Sequence, residues 1–187
     1  MGDAYKLILD LTKQINSVNN ILNRFTGIWI PSFDISHYLT SRSTYHVDER
    51  MRNTIRASLK NSQELEKQLF ETRCNITNLR ANLEILGYSM SKTNEKRLNV
   101  ILDNIMTLEP NINSYISSSY DYFDDVELCG GMRFSQHCLL EKDEAIKTLS
   151  AMILSNCNDI RALAKNTEKT LKKLKLKKGL HTLYKNQ

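Results

Sequence analysis

Proline and glycine are scarce in this sequence, and long apolar runs are absent. The 187 residues include 2 Pro and 6 Gly, which are too few for the many turns of a loop-rich barrel or sandwich. No segment approaches the roughly 18 apolar residues that a membrane-spanning helix needs. The 4 cysteines are spaced too widely for a small disulfide scaffold. We therefore expect one soluble domain with buried or free thiols, and not an integral membrane protein.

The first residues also lack the apolar segment of a secretory signal peptide. Lys6 occupies the position at which an N-myristoylation signal has Ser or Thr. The sequence therefore predicts a cytoplasmic protein, with a nuclear location as the alternative, and it disfavours secretion.

Positive charge is concentrated near the C-terminal end of the sequence. Residues 161–187 contain nine Lys or Arg and one acidic residue, Glu168, so they carry +8, whereas the whole chain carries +5. The first 160 residues therefore carry −3. This asymmetry predicts a helical bundle over 1–160, followed by a basic helical extension and tail over 161–187, and it indicates a local contact with a polyanion.

Apolar residues recur at steps of three and four in the first two predicted helices, which places them on one face of each. The first helix, 3–26, is expected to begin with a cap at Asp3 and to end at Gly27, before a packed linker that half-buries Trp29. The second, 47–86, is expected to be continuous up to Gly87, with a bend around 74–75 as the alternative. The stripe of the first helix comprises Ile8, Leu11, Ile15, Val18, Leu22 and Phe25. The stripe of the second is interrupted by the polar residues Ser58, Ser62 and Thr72.

Two further helices are predicted beyond residue 92. The third begins with a cap at Thr93 or Asn94, and Pro110 predicts a kink or break near 108–109. Its stripe comprises Leu98, Ile101, Ile105, Leu108, Ile112 and Ile116. Residues 117–138 lose this periodicity and predict a long loop. The last helix begins near Leu140, with an acidic first turn of Glu141, Asp143 and Glu144 and a stripe of Ile146, Leu149, Ile153, Ile160, Leu163, Thr167, Leu171 and Leu174.

Four helices with one apolar stripe each must bury those stripes against one another. The predicted fold is therefore all-α, either an antiparallel four-helix bundle or an elongated coiled-coil bundle, with a long loop before the last helix. The coiled-coil alternative implies a homo-oligomer in which two chains share the heptad seams.

The predicted loop contains the best candidates for a metal site. These are Asp124, Asp125, Glu127, Cys129, His137 and Cys138. Cys129 and Cys138 are too far apart for a zinc knuckle, so an acidic surface loop over two thiols is the preferred interpretation, with a disulfide between them as the alternative. The sequence has no phosphate-binding glycine loop, nucleophile elbow or zinc-protease motif. We therefore expect no cofactor and no enzymatic activity.

The C-terminal lysines are the strongest candidates for a binding site. They alternate with Leu163, Thr167, Leu171 and Leu174 in the pattern of a basic amphipathic helix, which binds anionic lipid, nucleic acid or a groove on a partner protein. The alternative is a solvated helix end. The candidate contact residues are Lys165, Lys169, Lys172, Lys173, Lys175, Lys177 and Lys178.

The order of these elements resembles one known family. A short N-terminal amphipathic helix, a long helix containing Ala57-Ser58-Leu59 and Glu64-Leu65-Glu66-Lys67, a further helix and a Lys-rich final helix are similar to the four-helix bundle and brace helix of mixed-lineage kinase domain-like pseudokinases. Thr182-Leu183-Tyr184-Lys185 is similar to the entry into their kinase-like domain. The resemblance implies a bundle that binds anionic lipids and disrupts membranes, with a regulatory brace. Residues 1–125 depart from the pattern, because they contain 14 basic and 15 acidic residues and therefore have no excess of positive charge for anionic lipids.

Taken from the residues themselves, the predicted function is that of a non-catalytic helical interaction or adaptor protein. It would bind other macromolecules, a protein partner above all, through its helix faces and its basic C-terminal helix. The alternatives are a membrane-perturbing bundle of the necroptosis type and a secreted cytokine-like ligand.

Overall fold

A computed structural model of the chain describes the backbone of residues 2–32, 49–128, 136–171 and 177–178, and the side chains of 2–26, 53, 56–121, 141–142 and 144–171. Helix accounts for 95% of the described residues. The fold is an all-α helical bundle, as the sequence predicts. Its elements are α1 (Gly2–Ser32), α2 (Glu49–Ile85), β1 (Tyr88–Ser89), α3 (Lys92–Leu128), α4 (Gln136–Leu171) and β2 (Lys177–Lys178).

The chain divides into two compact units. Unit 1 consists of Met1–Leu22, Gln68–Met106 and Asn158–Gln187, and unit 2 consists of Asn23–Lys67 and Thr107–Cys157. Each unit contains a segment of all four helices. Each can therefore bury four apolar stripes around a core of its own.

The predicted stripe of α1 is confirmed, because all six of its apolar residues are buried. Lys6, Lys13, Asn16, Asn20 and Asn23 are exposed on the opposite side. The prediction that Gly27 ends this helix is wrong, since α1 continues to Ser32. Glycine inside a helix costs only about 1 kcal/mol relative to alanine. The predicted cap at Asp3 is also wrong, because α1 begins at Gly2 and Asp3 lies within its first turn, where its charge suits the helix dipole.

The second helix is a single α-helix through Cys74 and Asn75, so the favoured continuous form is confirmed. Two of its three polar stripe residues, Ser62 and Thr72, are buried. The Ser62 hydroxyl donates to the carbonyl oxygen of Ser58 at 2.9 Å, so the hydrogen-bond acceptor for this hydroxyl lies in the same helix. Leu59, next to the half-buried Ser58, contributes the apolar side chain at that level.

Gly87 ends α2 with a φ of 74°, a left-handed conformation that glycine adopts without steric cost. Its N–H donates to the carbonyl of Glu84 at 2.9 Å, as expected for a glycine-terminated helix. The predicted cap of the next helix is wrong. Ser91 has that role, because its backbone carbonyl accepts from the N–H groups of Asn94 and Glu95 at 2.9 and 3.0 Å.

The six predicted stripe residues of α3 are all buried, but the predicted break at Pro110 is wrong, because one helix runs through it to Leu128. Pro110 is exposed. The carbonyl that loses its N–H partner there can be hydrated, which lowers the cost of keeping the helix.

A connection before the last helix is confirmed, but its predicted bounds are wrong. Residues 117–128 are helical and α4 begins at Gln136. The buried face continues through Tyr115, Ile116 and Ser119. The Ser119 hydroxyl donates to the carbonyl of Tyr115 at 2.5 Å, so a serine can occupy a stripe position without an unsatisfied hydroxyl.

The stripe of α4 is largely as predicted. Ile146, Ile153, Ile160, Thr167 and Leu171 are buried, Leu149 and Leu163 are half-buried, and Cys157 and Ala164 complete the buried face. The predicted acidic first turn is wrong, because the helix begins at Gln136 and Glu141 lies in its second turn. Leu174 lies outside the described residues.

A two-residue antiparallel ladder joins the α2–α3 turn to the basic segment. Tyr88 pairs with Lys178, and Ser89 pairs with Lys177. The predicted basic helix is therefore wrong at its C-terminal end, since Lys177 and Lys178 are in an extended strand. The backbone groups of Tyr88 and Ser89 supply an edge to which an extended chain can pair.

Candidate functional site

A surface groove in unit 1 lies between the first turns of α1 and the end of α2. Its volume is about 440 Å³, and it is lined by Asp3, Lys6, Leu7, Asp10, Asn82, Ile85 and Leu86. The apolar part of the groove comes from both helices, and the charged part comes from α1 alone. This arrangement suits a short segment with apolar and basic side chains.

Two apolar side chains of the groove are open to solvent. Ile85 is 80% exposed and Leu86 is 41% exposed. Phe70 is also exposed, but the guanidinium of Arg73 lies 5.0 Å from its ring centroid and covers one face by a cation–π contact. Ile85 is thus the most exposed large apolar side chain among the described residues.

The charged part of the groove is acidic on balance. Lys13 lies 3.0 Å from Asp10 in an exposed i,i+3 pair on α1. Asp3, two turns earlier in the groove, takes part in no ion pair with any other described residue. An incoming basic side chain would therefore find a carboxylate in the first turn of α1.

The basic segment 165–178 is described only in part. Lys165 and Lys169 are exposed on α4, four residues apart, so they share one face of the helix. Lys177 and Lys178 lie in β2, and their side chains are outside the described set. Lys172, Lys173 and Lys175 are outside it altogether. Both described ends of the segment belong to unit 1.

Exposed polar contacts join α2 to α3 in each unit. In unit 1, Arg80 donates through Nη1 to Oδ1 of Asn99, and its Nε lies 3.7 Å from Oε1 of Glu84. In unit 2, Nδ2 of Asn113 donates to Oε1 of Glu66 at 3.3 Å. Such exposed contacts add little stability, but they show that α2 and α3 are neighbours in both units.

The ionisation of Tyr115 is clearly perturbed. Its side chain is buried in unit 2. Burial raises the pKa of its phenol far above the ordinary value, and a side-chain hydrogen bond with Ser119 acts in the opposite direction. The phenol is thus held neutral within the core, without the exposed cleft that a catalytic acid or base requires.

Within the described residues, no group of three or more His, Cys, Asp or Glu side chains comes close enough to bind a metal ion. Cys74 is half-buried and Cys157 is buried, and neither is in a disulfide. The candidates of the predicted loop, Cys129 and Cys138 among them, lie outside the described side chains, as does Trp29. Among the helices searched, none combines the length and apolar character needed to cross a bilayer.

Sequence reasoning missed the groove and the ladder. The signal for the groove was present, because Ile85 lies two residues after the buried Leu83 and so falls on the opposite face of α2. Leu86, the first residue after α2, is also exposed. The ladder had no comparable signal, because two-residue strands carry no periodicity.

Comparison of the chain with protein-family models, curated proteins and solved structures finds no match. The resemblance to mixed-lineage kinase domain-like bundles therefore stays a hypothesis from the sequence.

Proposed function

We propose that this chain is a non-catalytic interaction protein, a helical bundle that binds an acidic surface of a partner protein through its basic segment 165–178. The observation that carries the proposal is the high density of lysines in this segment, together with the exposure of those that the structure describes. Seven lysines occur in 14 residues with Glu168 as the single acid. Lys165 and Lys169 are exposed, and neither pairs with another described residue.

A solvated helix end needs fewer cations than this. The helix dipole favours positive charge only within the last turn, where α4 has Lys169. Lys177 and Lys178 lie beyond the helix in a strand attached to unit 1, so the dipole does not account for them. A clustered positive charge raises the association rate with an acidic partner and orients it.

The variant that tests the proposal must leave the core intact. Deletion of 161–187 would remove the buried Ala164, Thr167 and Leu171, so loss of binding would not distinguish contact from unfolding. Substitution of the seven lysines of 165–178 by Gln keeps these residues. A charge-matched control replaces seven exposed lysines elsewhere, namely Lys6, Lys13, Lys60, Lys67, Lys92, Lys96 and Lys147.

Affinity purification from native cells, with quantitative mass spectrometry, compares the parent chain with both variants. The proposal predicts a protein that the parent and the control variant capture and the segment variant loses. Binding of that purified protein should weaken between about 0.05 and 0.3 M salt, since exposed charges are screened. Capture that is equal for all three chains would contradict the proposal.

Anionic vesicles and a nucleic-acid duplex provide the competing outcomes. If the segment variant loses binding to vesicles or duplex, and no protein shows the pattern above, the partner is a lipid surface or a nucleic acid instead. A steep decrease of duplex affinity with salt would indicate phosphate contacts. The membrane-perturbing alternative requires the vesicle result. Cytoplasmic location and self-association through heptad seams remain predictions, for imaging and sedimentation to test.

A further inference from the structure

The ladder and the groove lie at the same end of α2. Ile85 and Leu86 line the groove, Gly87 ends the helix, and Tyr88 begins β1. Only one residue thus separates the groove from the strand that holds the basic segment. Residues 179–187 follow β2 and lie outside the described part of the chain. The described residues around β2 indicate where this segment can bind.

The register of the ladder sets the direction in which the chain leaves it. Lys177 lies opposite Ser89 and Lys178 lies opposite Tyr88 in an antiparallel pair. A chain that continues beyond Lys178 therefore advances toward Gly87 and the end of α2. Continuation of the same register would place Leu180 opposite Leu86.

The backbone of α2 stops the ladder at this point. The N–H of Gly87 already donates to the carbonyl of Glu84, and the N–H of Leu86 donates to that of Asn82 at 3.1 Å. These two donors are unavailable to a continuing strand. A chain that passes Tyr88 can instead contact the exposed side chains of Leu86 and Ile85 at the end of α2.

The sequence that follows β2 has the composition that the groove suits. Residues 179–187 contain Leu180, Leu183 and Tyr184, together with His181 and Lys185 and no acidic residue. The groove offers Leu7, Ile85 and Leu86 beside two acidic residues, Asp3 and Asp10, and one basic residue, Lys6. Nine residues can extend over about 30 Å, whereas the groove residues of α1 from Asp3 to Asp10 rise only about 10 Å along the helix.

We propose that the groove is the docking site of residues 179–187 of the same chain. Leu180 is the first side chain to reach Leu86, and the apolar residues after it cover Ile85, with Lys185 available to the carboxylate of Asp3. Attachment through β2 gives this segment an effective concentration at the groove in the millimolar range. A segment from another molecule must therefore compete for the groove with residues 179–187 at this effective concentration.

Photo-crosslinking from the groove tests the proposal directly. Ile85 is replaced by p-benzoylphenylalanine in the full chain, and its exposure leaves the core unaffected. We expect the crosslinked peptide to come from 179–187 and the product to migrate as a monomer. The matched control places the same probe at Leu9, which is 56% exposed on α1 and outside the groove, and it should not capture this segment.

Hydrogen exchange gives a second readout without a probe. The amides of 179–187 should exchange several-fold more slowly in the parent than in Ile85→Asp, whereas Leu9→Asp should retain the slow exchange. Equal, fast exchange in all three chains would overturn the proposal. So would a crosslink from position 85 only to a second copy, which would migrate as a dimer. Neither readout depends on the lysine substitutions that test the proposed function.

Discussion

The two units differ in the chemistry of their cores. Unit 1 buries aliphatic side chains such as Leu11, Ile15 and Ile76, and its aromatic residues Tyr5 and Phe70 are exposed. Unit 2 buries the aromatic side chains of Phe25 and Tyr115. Both units bury hydroxyls, namely those of Thr12, Thr72 and Thr167 in unit 1 and those of Ser62 and Ser119 in unit 2. The same four helices thus build one core from aliphatic packing and another that includes aromatic side chains.

The buried hydroxyls show how a helix accommodates a polar residue on its buried face. Ser62 and Ser119 each donate to the carbonyl four residues earlier, so each hydroxyl is satisfied within its own helix. Such bonds need no partner from a neighbouring helix. The core of unit 2 therefore contains hydroxyls without depending on an interhelical hydrogen-bond network.

The largest effect is expected from the aliphatic core. Leu11→Ala removes a fully buried side chain from unit 1, and the cavity plus the lost transfer energy should lower the free energy of unfolding by about 2 to 5 kcal/mol. Urea denaturation followed by circular dichroism measures it. Leu9→Ala, on the exposed face of the same helix, should change the value by less than about 0.5 kcal/mol. Equal effects at the two positions would mean that α1 does not pack as described.

A pH-dependent effect is expected from unit 2. Burial raises the pKa of Tyr115 in the folded state above the ordinary value of about 10. The neutral phenol is therefore favoured by folding, and this stabilisation is present below pH 10 and is lost as the pH rises above it. The contribution to the slope approaches about 1.4 kcal/mol per pH unit. Urea midpoints at pH 9.5 and pH 11 should separate more in the parent than in Tyr115→Phe, and equal separations would refute the assignment.

A smaller effect is expected at the turn of unit 1. Gly87→Ala introduces a Cβ at a φ of 74° and should lower the free energy of unfolding by about 1 kcal/mol. Gly2→Ala is the matched control, because Gly2 is helical and a Cβ there meets nothing within 4 Å. Thermal unfolding of both variants measures the difference. A Gly87→Ala variant as stable as the control would argue against the left-handed turn.

The smallest effect is expected at Ser62. Ser62→Ala removes a buried hydroxyl together with its local bond and leaves no unmatched group. The gain in helix propensity should offset the lost bond to within about 0.5 kcal/mol. A loss of more than about 1.5 kcal/mol in urea denaturation would show that this hydroxyl has a partner beyond its own helix.

The four helices of the described residues and most of their buried faces could be predicted from the sequence, because steps of three and four leave a direct signal in α1 and α3. The extension of α3 past Ile116 could not be predicted. The buried face continues there through Ser119, and serine is not an apolar residue, so the apolar periodicity stops. The end of α1 was misplaced because Gly27 acts as a terminator only where a left-handed turn forms, as at Gly87. Ile85 could have been identified as off the stripe, but the pairing of β1 with β2 could not.

The ladder between β1 and β2 also has a consequence for the order of folding. Tyr88 and Lys178 are 90 positions apart in the sequence, and closing a flexible loop of that length costs about 4 kcal/mol in chain entropy. Two residue pairs cannot offset this cost by themselves. The ladder can therefore form only after the intervening helices have packed and brought its strands together. We expect it to be the last element acquired during refolding and the first released as denaturant is added.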